Sequence, residues 1–164
     1  GAFYGNAAAA LFFYFKNSKI YSADIFPDLF SYKSERIKNF FVDSSSESSI
    51  QESIISLKNN FDIIIEDASH SYKDQIISLF MLFPKLNSGG IFVTEELDFP
   101  DTRKDMNLKN QKPTLRDILL EVKSGNEFNN SLVSEEQKKY FLSNFNEIKI
   151  CKGKFNEIAI IIKK

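Results

Sequence analysis

The sequence is short of the residues that form covalent cross-links and of the long apolar runs that form membrane spans. Its 164 residues include one cysteine, Cys151, which excludes an internal disulfide and a metal site built from several cysteines. No apolar run approaches the roughly 18 residues needed to cross a bilayer, and no signal-peptide pattern opens the chain. We therefore expect a soluble protein without a membrane partner, and the cytoplasm is its default location.

An excess of charge of one sign is also absent. The 21 lysines and arginines nearly balance the 22 acidic residues, and the lysines are scattered. Because nucleic-acid binding depends on clustered basic residues that neutralise phosphates, we expect no nucleic-acid partner. The length and the 43% hydrophobic content predict a single domain over residues 1–164 with a substantial core.

The middle of the chain has the pattern of a strand, a crossover helix and a second strand. The unbroken apolar run Phe61–Ile65 predicts a strand that is buried on both faces. Apolar residues at helical spacing over Ser71–Leu86 predict the crossover helix. The pair Gly89-Gly90 then predicts a turn into a second strand, Ile91–Thr94. Such a βαβ unit has parallel strands, whose carboxyl ends lie at the same edge of the sheet.

Acidic residues and the only histidine of the chain follow these two strands. Glu66 and Asp67 end the first strand, His70 comes three residues after Asp67, and Glu95 and Glu96 end the second strand. Open α/β sheets bind ligands at this edge, so we expect these side chains to converge. Carboxylates that converge repel one another unless a cation lies between them, which predicts a hard divalent ion such as Mg²⁺.

The first residues indicate a nucleotide-type cofactor. Gly1 and Gly5 precede a helical run, Ala7–Lys16, in the strand–glycine loop–helix order that brings backbone N–H groups close to a ligand. An ordinary N-terminal turn and core helix is an equally good interpretation of the glycines alone. The next predicted strand, Lys19–Ile25, carries Asp24 at its end, where Rossmann-like folds bind ribose hydroxyls.

The rest of the chain alternates between the same two patterns. Asp43 follows a third predicted strand, and the polar segment Asp98–Pro113 shows neither period, which predicts a long loop. The alternation predicts a Rossmann-like, doubly wound, mostly parallel α/β sheet with a C-terminal antiparallel hairpin. Cys151 ends the first hairpin strand and is expected to be buried. The further predicted elements are strand Arg36–Val42, helices Ser48–Lys58, Thr114–Lys123 and Ser134–Asn144, and hairpin strands Asn146–Cys151 and Phe155–Ile162.

Two motifs carry a family resemblance. E-D-A-S-H over Glu66–His70 and L-F-P-K-L-N-S-G-G-I-F-V-T-E-E-L over Leu82–Leu97 resemble the D-D-G-S-H and L-F-P-x-L-x-P-G-G-x-Y-V-I-E-D-L motifs of metal-dependent sugar O-methyltransferases of the mycinamicin type. These are class I S-adenosylmethionine-dependent methyltransferases, and the cephalosporin-hydroxylase-like group carries a similar acid cluster. The chain has Ala68 and Glu96 where the motifs have glycine and aspartate.

The resemblance implies S-adenosylmethionine as the cofactor. It implies that Gly1 and Gly5 belong to the cofactor loop, that Asp24 accepts hydrogen bonds from the ribose, and that Asp43 lies near the adenine. It also implies a first strand just before Gly1, so that the predicted domain would be incomplete at its N-terminus.

The resemblance also implies the catalytic groups. Asp67, Glu95 and Glu96 align with the acids that bind the divalent metal, for which Mg²⁺ is the expected ion, and His70 aligns with the general base. Asp67 is therefore a predicted catalytic residue, and we also place it next to the cofactor. The expected reaction is O-methylation of a sugar or another small hydroxylated molecule, such as a secondary metabolite.

Two other functions are compatible with the sequence. A different Rossmann-like enzyme, such as a nicotinamide-dependent oxidoreductase, would also use Asp24, although the chain lacks an intact G-x-G-x-x-G. A non-catalytic α/β binding protein would keep the fold without the chemistry. The sequence leaves the oligomeric state open, and a homo-oligomer is compatible with it.

Overall fold

The computed structural model describes residues 2–164, which divide between two compact units, one that ends at Ser56 and one over Leu57–Lys164. We describe each unit by itself, and the expectation of a single domain remains a prediction. None of the helices over residues 2–164 is long and apolar enough to cross a membrane.

The first unit is built on a two-stranded parallel sheet. Strands β1 (Ile20–Asp24) and β2 (Ile37–Phe41) pair in register from the Ile20–Ile37 pair to the Asp24–Phe41 pair, which confirms both predicted strands. Helix α1 (Asn6–Tyr14) precedes β1, and α2 (Glu47–Ile50) follows β2. The predicted helix over 48–58 is shorter than expected, because α2 continues only as a π-helical segment, Gln51–Ile55.

One arginine completes the C-terminal end of α1. The Arg36 guanidinium donates hydrogen bonds to the backbone carbonyls of Phe12, Phe15 and Ser18, and it lies over the Phe12 ring. Carbonyls at the end of a helix have no partner within the helix, so these bonds satisfy groups that would otherwise depend on solvent. They also connect α1 to the start of β2, since Arg36 immediately precedes that strand.

The second unit contains a four-stranded mixed sheet in the order β3–β4–β6–β5. The first two strands are parallel, and the last two form the predicted antiparallel hairpin, which is confirmed. The strands are β3 (Phe61–Glu66), β4 (Leu86–Thr94), β5 (Phe145–Lys152) and β6 (Glu157–Lys163). The helices are α3 (Tyr72–Leu82), α4 (Phe99–Thr102), α5 (Leu115–Lys123) and α6 (Glu135–Asn144).

The core of the second unit surrounds the crossover helix α3. This helix packs on β3 and β4 on one side and on α5 and α6 on the other, so nearly all of its residues are buried. The Phe141 ring of α6 meets Phe80 and Phe83 with ring centroids 5.2 and 4.9 Å apart. Helices α5 and α6 each begin with a capping box, at Thr114 and Ser134, which confirms the predicted N-terminal boundaries within one residue.

Four local predictions were wrong. Strand β3 is not buried on both faces, since Ile63 and Ile65 are 41% and 43% exposed. The segment over 98–113 contains α4 and a 3₁₀ turn, because the buried Asn107 side chain bonds the backbone of Pro100 and Gln111 and folds the segment on itself. The glycine pair at 89–90 lies within β4, where the pairing with β3 is irregular, and does not form a separate turn before the strand. Cys151 is exposed, because it faces away from the side of β5 on which Ile148 is buried.

Candidate functional site

The carboxyl ends of β3 and β4 bring Asp67, His70 and Glu96 together, and we call these three residues the acid–histidine cluster. Each offers one ligand atom, and these atoms lie within 4.8 Å of one another. Nε2 of His70 is 3.5 Å from Oδ1 of Asp67, and its Nδ1 is 3.5 Å from Oε2 of Glu96. The imidazole therefore lies between two carboxylates that come from different strands of the sheet.

Unusual backbone conformations aim two of these side chains. His70 has a φ of 58° and Glu96 a φ of 46°, both in the left-handed region that residues other than glycine rarely adopt. Directly after His70, Ser71 caps α3 by accepting a hydrogen bond from the Asp74 backbone N–H. Strained residues of this kind persist where the surrounding structure holds them, and they cluster at functional sites.

Two atoms of the cluster are buried and unsatisfied. Among the contacts of residues 2–164, neither Nδ1 of His70 nor Oε2 of Glu96 makes a hydrogen bond, although the two atoms face each other at 3.5 Å. A buried polar atom without a partner costs about 1–3 kcal/mol, so such atoms in a folded protein call for an explanation. Carboxylate oxygens are the ligands that Mg²⁺ and similar hard cations prefer, so Asp67 and Glu96 can bind such an ion while the imidazole beside them stays available for proton transfer. The donor set therefore fits a divalent ion.

The two remaining acids at this edge, Glu66 and Glu95, both have raised pKa values. Burial is the main reason that the pKa of Glu95 is raised, and the negative charges of Asp67 and Glu96 raise it further. In the described part of the chain, Glu95 is not one of the three cluster residues, but its carboxylate responds to their charge. Burial raises the pKa of Glu66 to about 7, although the Ala68 N–H partly opposes this by donating to Oε1. A cation at this edge would offset the repulsion among these groups.

Two supporting residues were missed by the sequence interpretation. Gln75, fully buried in α3, donates from Nε2 to the backbone carbonyls of Glu95 (3.3 Å) and Glu96 (3.0 Å). Asn156, just before β6, donates from Nδ2 to Oε1 of Glu96 (2.9 Å). Gln75 could have been noticed as a polar residue next to the apolar positions of the crossover helix. Asn156 gave no such signal, because asparagine is a common residue in hairpin turns.

In the first unit, Asp24 holds two segments at the end of β1. Its Oδ2 accepts a hydrogen bond from the Phe3 N–H (2.8 Å), and its Oδ1 accepts one from the Phe26 N–H (3.0 Å). Gly5 lies just before α1 with a φ of 83°, a conformation that costs little without a Cβ. The other glycine assigned to the cofactor loop, Gly1, lies outside the described residues.

An apolar groove lies beside Asp24 at the carboxyl ends of β1 and β2. It has a volume of about 500 Å³ and is lined by Ile25, Phe26, Pro27, Asp28, Leu29 and Phe41. Asp43 is not part of this lining. Its Oδ1 accepts hydrogen bonds from the backbone N–H and the hydroxyl of Ser45, so the carboxylate shapes the serine-rich turn after β2.

No family model matches the chain. A curated relative, the 8-demethyl-8-alpha-L-rhamnosyl tetracenomycin-C 2'-O-methyltransferase of Streptomyces olivaceus, is 31% identical over 84 residues, which are 51% of this chain and 22% of that protein. The solved structure of the MycE methyltransferase in complex with Mg and SAH matches 97% of this chain and 41% of its own, with a TM-score of 0.74 and 20% identity. A putative ribosomal RNA methyltransferase from Plasmodium falciparum matches 100% of this chain and 82% of its own, with a TM-score of 0.55 and 12% identity.

These comparisons concern similarity in part of longer proteins. The chain spans about a fifth of the curated relative, at 22%, and about two fifths of MycE, at 41%. The predicted Rossmann-like α/β fold is confirmed, since the structures that match it are methyltransferases. The resemblance to sugar O-methyltransferases that was identified from the two motifs is confirmed as well.

Proposed function

We propose that this chain carries an S-adenosylmethionine-dependent, divalent-metal-assisted O-methyltransferase activity on a sugar or another small hydroxylated molecule. The observation that carries the proposal is the acid–histidine cluster with its two unsatisfied buried atoms. The relative that is named a 2'-O-methyltransferase and the MycE complex with Mg and SAH support the choice of reaction, cofactor and metal.

The proposed roles divide the edge of the second unit between metal binding and proton transfer. Asp67 and Glu96, with Glu95 beside them, would hold the ion through carboxylate oxygens. A bound Mg²⁺ supplies positive charge that lowers the pKa of an acceptor hydroxyl. His70 takes the hydroxyl proton, because imidazole is the side chain that exchanges protons near neutral pH. Bound S-adenosylmethionine would supply the methyl group: the hydroxyl oxygen would form a bond to the methyl carbon as the carbon–sulfur bond breaks, with S-adenosylhomocysteine as the product.

The proposed roles in the first unit concern the cofactor. An ionised carboxylate has about four lone-pair positions. Asp24 can therefore accept hydrogen bonds from ribose hydroxyls while it keeps the two hydrogen bonds from the backbone N–H groups of Phe3 and Phe26. Gly5, with Gly1, would form the loop that approaches the cofactor, and Asp43 would lie near the adenine. We also keep Asp67 among the residues next to the cofactor.

The proposal extends to the setting of the enzyme. We place it in the cytoplasm as a single methyltransferase domain that acts on a small molecule, without a nucleic-acid or membrane partner. The balance between 21 basic and 22 acidic residues supports the absence of a nucleic-acid partner. A homo-oligomer remains compatible with the chain.

The test of the proposal is methyl transfer from S-adenosylmethionine to sugars that carry adjacent hydroxyl groups. We expect activity to disappear in EDTA and to return with Mg²⁺ or Mn²⁺. We expect His70→Ala to lower kcat by ~10²–10⁴-fold, the range for the loss of a general base, while S-adenosylhomocysteine still binds. Lys73→Ala, an exposed change close by on α3, is the matched control and should leave kcat unchanged.

Each part of this proposal can fail separately. Full activity in EDTA would exclude the metal, and normal turnover of His70→Ala would exclude the base. Calorimetric titration distinguishes the alternatives: binding of NAD without S-adenosylhomocysteine would indicate the oxidoreductase. Binding of S-adenosylhomocysteine without any transfer would indicate a non-catalytic binding protein.

A further inference from the structure

The turn between β5 and β6 is attached to the segment that carries Glu96. The Asn156 amide donates to Oε1 of Glu96 at 2.9 Å. The next residue, Glu157, accepts at its carbonyl from the Leu97 N–H (2.8 Å) and donates its own N–H to Oδ1 of Asp98 (2.8 Å). Three hydrogen bonds therefore join two consecutive residues of the hairpin to three consecutive residues that follow β4.

The bond from Asn156 decides which oxygen of Glu96 faces the imidazole. Oε1 is occupied by the amide, and Oε2 is the atom 3.5 Å from Nδ1 of His70. A carboxylate can only accept hydrogen bonds, so the NH₂ group of Asn156 must face it. A glutamate side chain has several freely rotating bonds, and fixing one oxygen removes much of the conformational entropy that metal binding would otherwise cost.

Contacts within the turn and with α5 hold the Asn156 amide in place. The Gly153 N–H donates to the Asn156 carbonyl at 2.8 Å, and a Cβ on Gly153 would lie 3.1 Å from that carbonyl oxygen and 3.3 Å from Oδ1 of the Asn156 side chain. On the other side, the Arg116 guanidinium of α5 donates two hydrogen bonds to the half-buried Glu157 carboxylate. The hairpin is thus fixed to α5 immediately beside Asn156.

We propose that Asn156 is a positioning residue that orients Glu96 toward a divalent cation at the acid–histidine cluster. The inference rests on the proposed metal-binding function. It assigns the C-terminal hairpin a part in the site, although the hairpin itself contributes no residue to the cluster of described ligand atoms. Groups that hydrogen-bond a metal ligand typically change metal affinity by about 10–100-fold when they are removed.

The experiment measures Mn²⁺ binding to the metal-free protein by electron paramagnetic resonance, without substrate or cofactor. We expect Asn156→Ala to weaken Mn²⁺ binding by about 10–100-fold. Phe155→Ala changes the neighbouring residue of the same turn, whose side chain is exposed, and should bind Mn²⁺ as the unchanged protein does. Asn156→Gln keeps an amide donor and should recover part of the lost affinity.

NMR signals of His70 locate the bound ion, and thermal unfolding measures the stability of each variant. The chain has one histidine, so the carbon-bound ring protons of His70 give NMR signals that no other residue can produce. Mn²⁺ at the cluster should broaden these signals at a lower concentration in the unchanged protein than in Asn156→Ala. Thermal unfolding of the metal-free variants shows whether the hairpin is intact, and Asn156→Gln then separates loss of the donor from loss of the turn.

The outcomes separate this inference from the function on which it rests. Failure of the unchanged protein to bind Mn²⁺ or to show broadening would overturn the metal site, and with it the role of Asn156. Normal Mn²⁺ binding by Asn156→Ala would overturn the positioning role alone. Equal losses in Asn156→Ala, Asn156→Gln and Phe155→Ala would mean that only the shape of the turn matters, which also contradicts the inference.

Discussion

Among single residues, Glu66 is a buried acid whose ionised form the fold disfavours. It ends β3, is 5% exposed, and its Oε2 has no hydrogen-bond partner among the described residues. Burial raises its pKa from 4.5 to about 7, and the charges of Asp67 and Asp74 act in the same direction. At neutral pH Glu66 is therefore present in both its protonated and its ionised form.

This shift makes the stability of the metal-free protein depend on pH. A carboxyl group with a higher pKa in the folded state binds its proton more tightly there, so its contribution is complete below about pH 4.5 and is lost as the pH rises through about 7. The change amounts to about 3 kcal/mol in the free energy of unfolding. Glu66→Gln stays neutral, so we expect its stability relative to the unchanged protein to increase by about that amount over this interval.

Urea denaturation in EDTA at about pH 4.5 and about pH 8 measures the effect, since linear extrapolation gives the free energy of unfolding at each pH. Glu136→Gln, an exposed change on α6, is the control and should follow the unchanged protein. A Glu66→Gln protein with the same pH dependence as the unchanged protein would show that folding does not raise the pKa of Glu66.

At the scale of an element, the turn from β3 into α3 combines a strained residue with a strong cap. His70 has a φ of 58°, and Ser71 starts the helix one residue later. The left-handed conformation costs roughly 1–2 kcal/mol for a residue with a Cβ and little for glycine. The turn therefore keeps its histidine at the expense of stability, which is expected of a functional residue.

A pair of variants isolates this strain. His70→Gly and His70→Ala both remove the imidazole, but only glycine relieves the backbone, so we expect His70→Gly to be more stable than His70→Ala by about 1 kcal/mol in urea denaturation. The same pair at the exposed Lys139, in the middle of α6, should show the opposite order by about 0.5–1 kcal/mol, because glycine weakens a helix interior. If the alanine variant is more stable than the glycine variant at both positions, the backbone at position 70 is not strained.

At the scale of the whole molecule, the residues proposed to bind the cofactor and those proposed to bind the metal belong to different compact units. Asp24 and the apolar groove lie in the first unit, and the acid–histidine cluster lies in the second. Each group is held by hydrogen bonds within its own unit, such as those from Phe3 and Phe26 to Asp24. Mutation of Asp24 should therefore affect cofactor binding, and mutation of Glu96 should affect metal binding.

We expect a double dissociation in calorimetric titrations. Asp24→Ala should weaken S-adenosylhomocysteine binding by roughly one to two orders of magnitude, the loss expected for charged hydrogen bonds, and should leave Mn²⁺ binding unchanged. Glu96→Gln should weaken Mn²⁺ binding. It should leave the affinity for S-adenosylhomocysteine unchanged, including when that affinity is measured in EDTA without a metal ion. Unchanged affinity of Asp24→Ala for S-adenosylhomocysteine would remove Asp24 from the cofactor site.

The sequence by itself determined the elements and the placement of the acids. The apolar run of β3, the helical spacing of α3 and the alternation in the terminal hairpin are local patterns, and local patterns predict secondary structure well. The order of these elements then places Asp67, His70 and Glu96 after neighbouring parallel strands, because strands in a βαβ unit end at the same edge. The fold class and the convergence of Asp67, His70 and Glu96 were therefore accessible without coordinates, whereas the position of Glu95 outside the cluster was not.

Only the tertiary structure decided how the cluster is held. Asn156 reaches Glu96 from 60 residues away and Gln75 reaches it from 21 residues away, and no local pattern encodes contacts of that separation. The exposure of Cys151 and the folding of the segment around Asn107 also depend on which surfaces the other elements leave open. Hydrophobic periodicity specifies which face of an element is buried, but hydrogen bonds between distant polar groups form only after packing has brought them together.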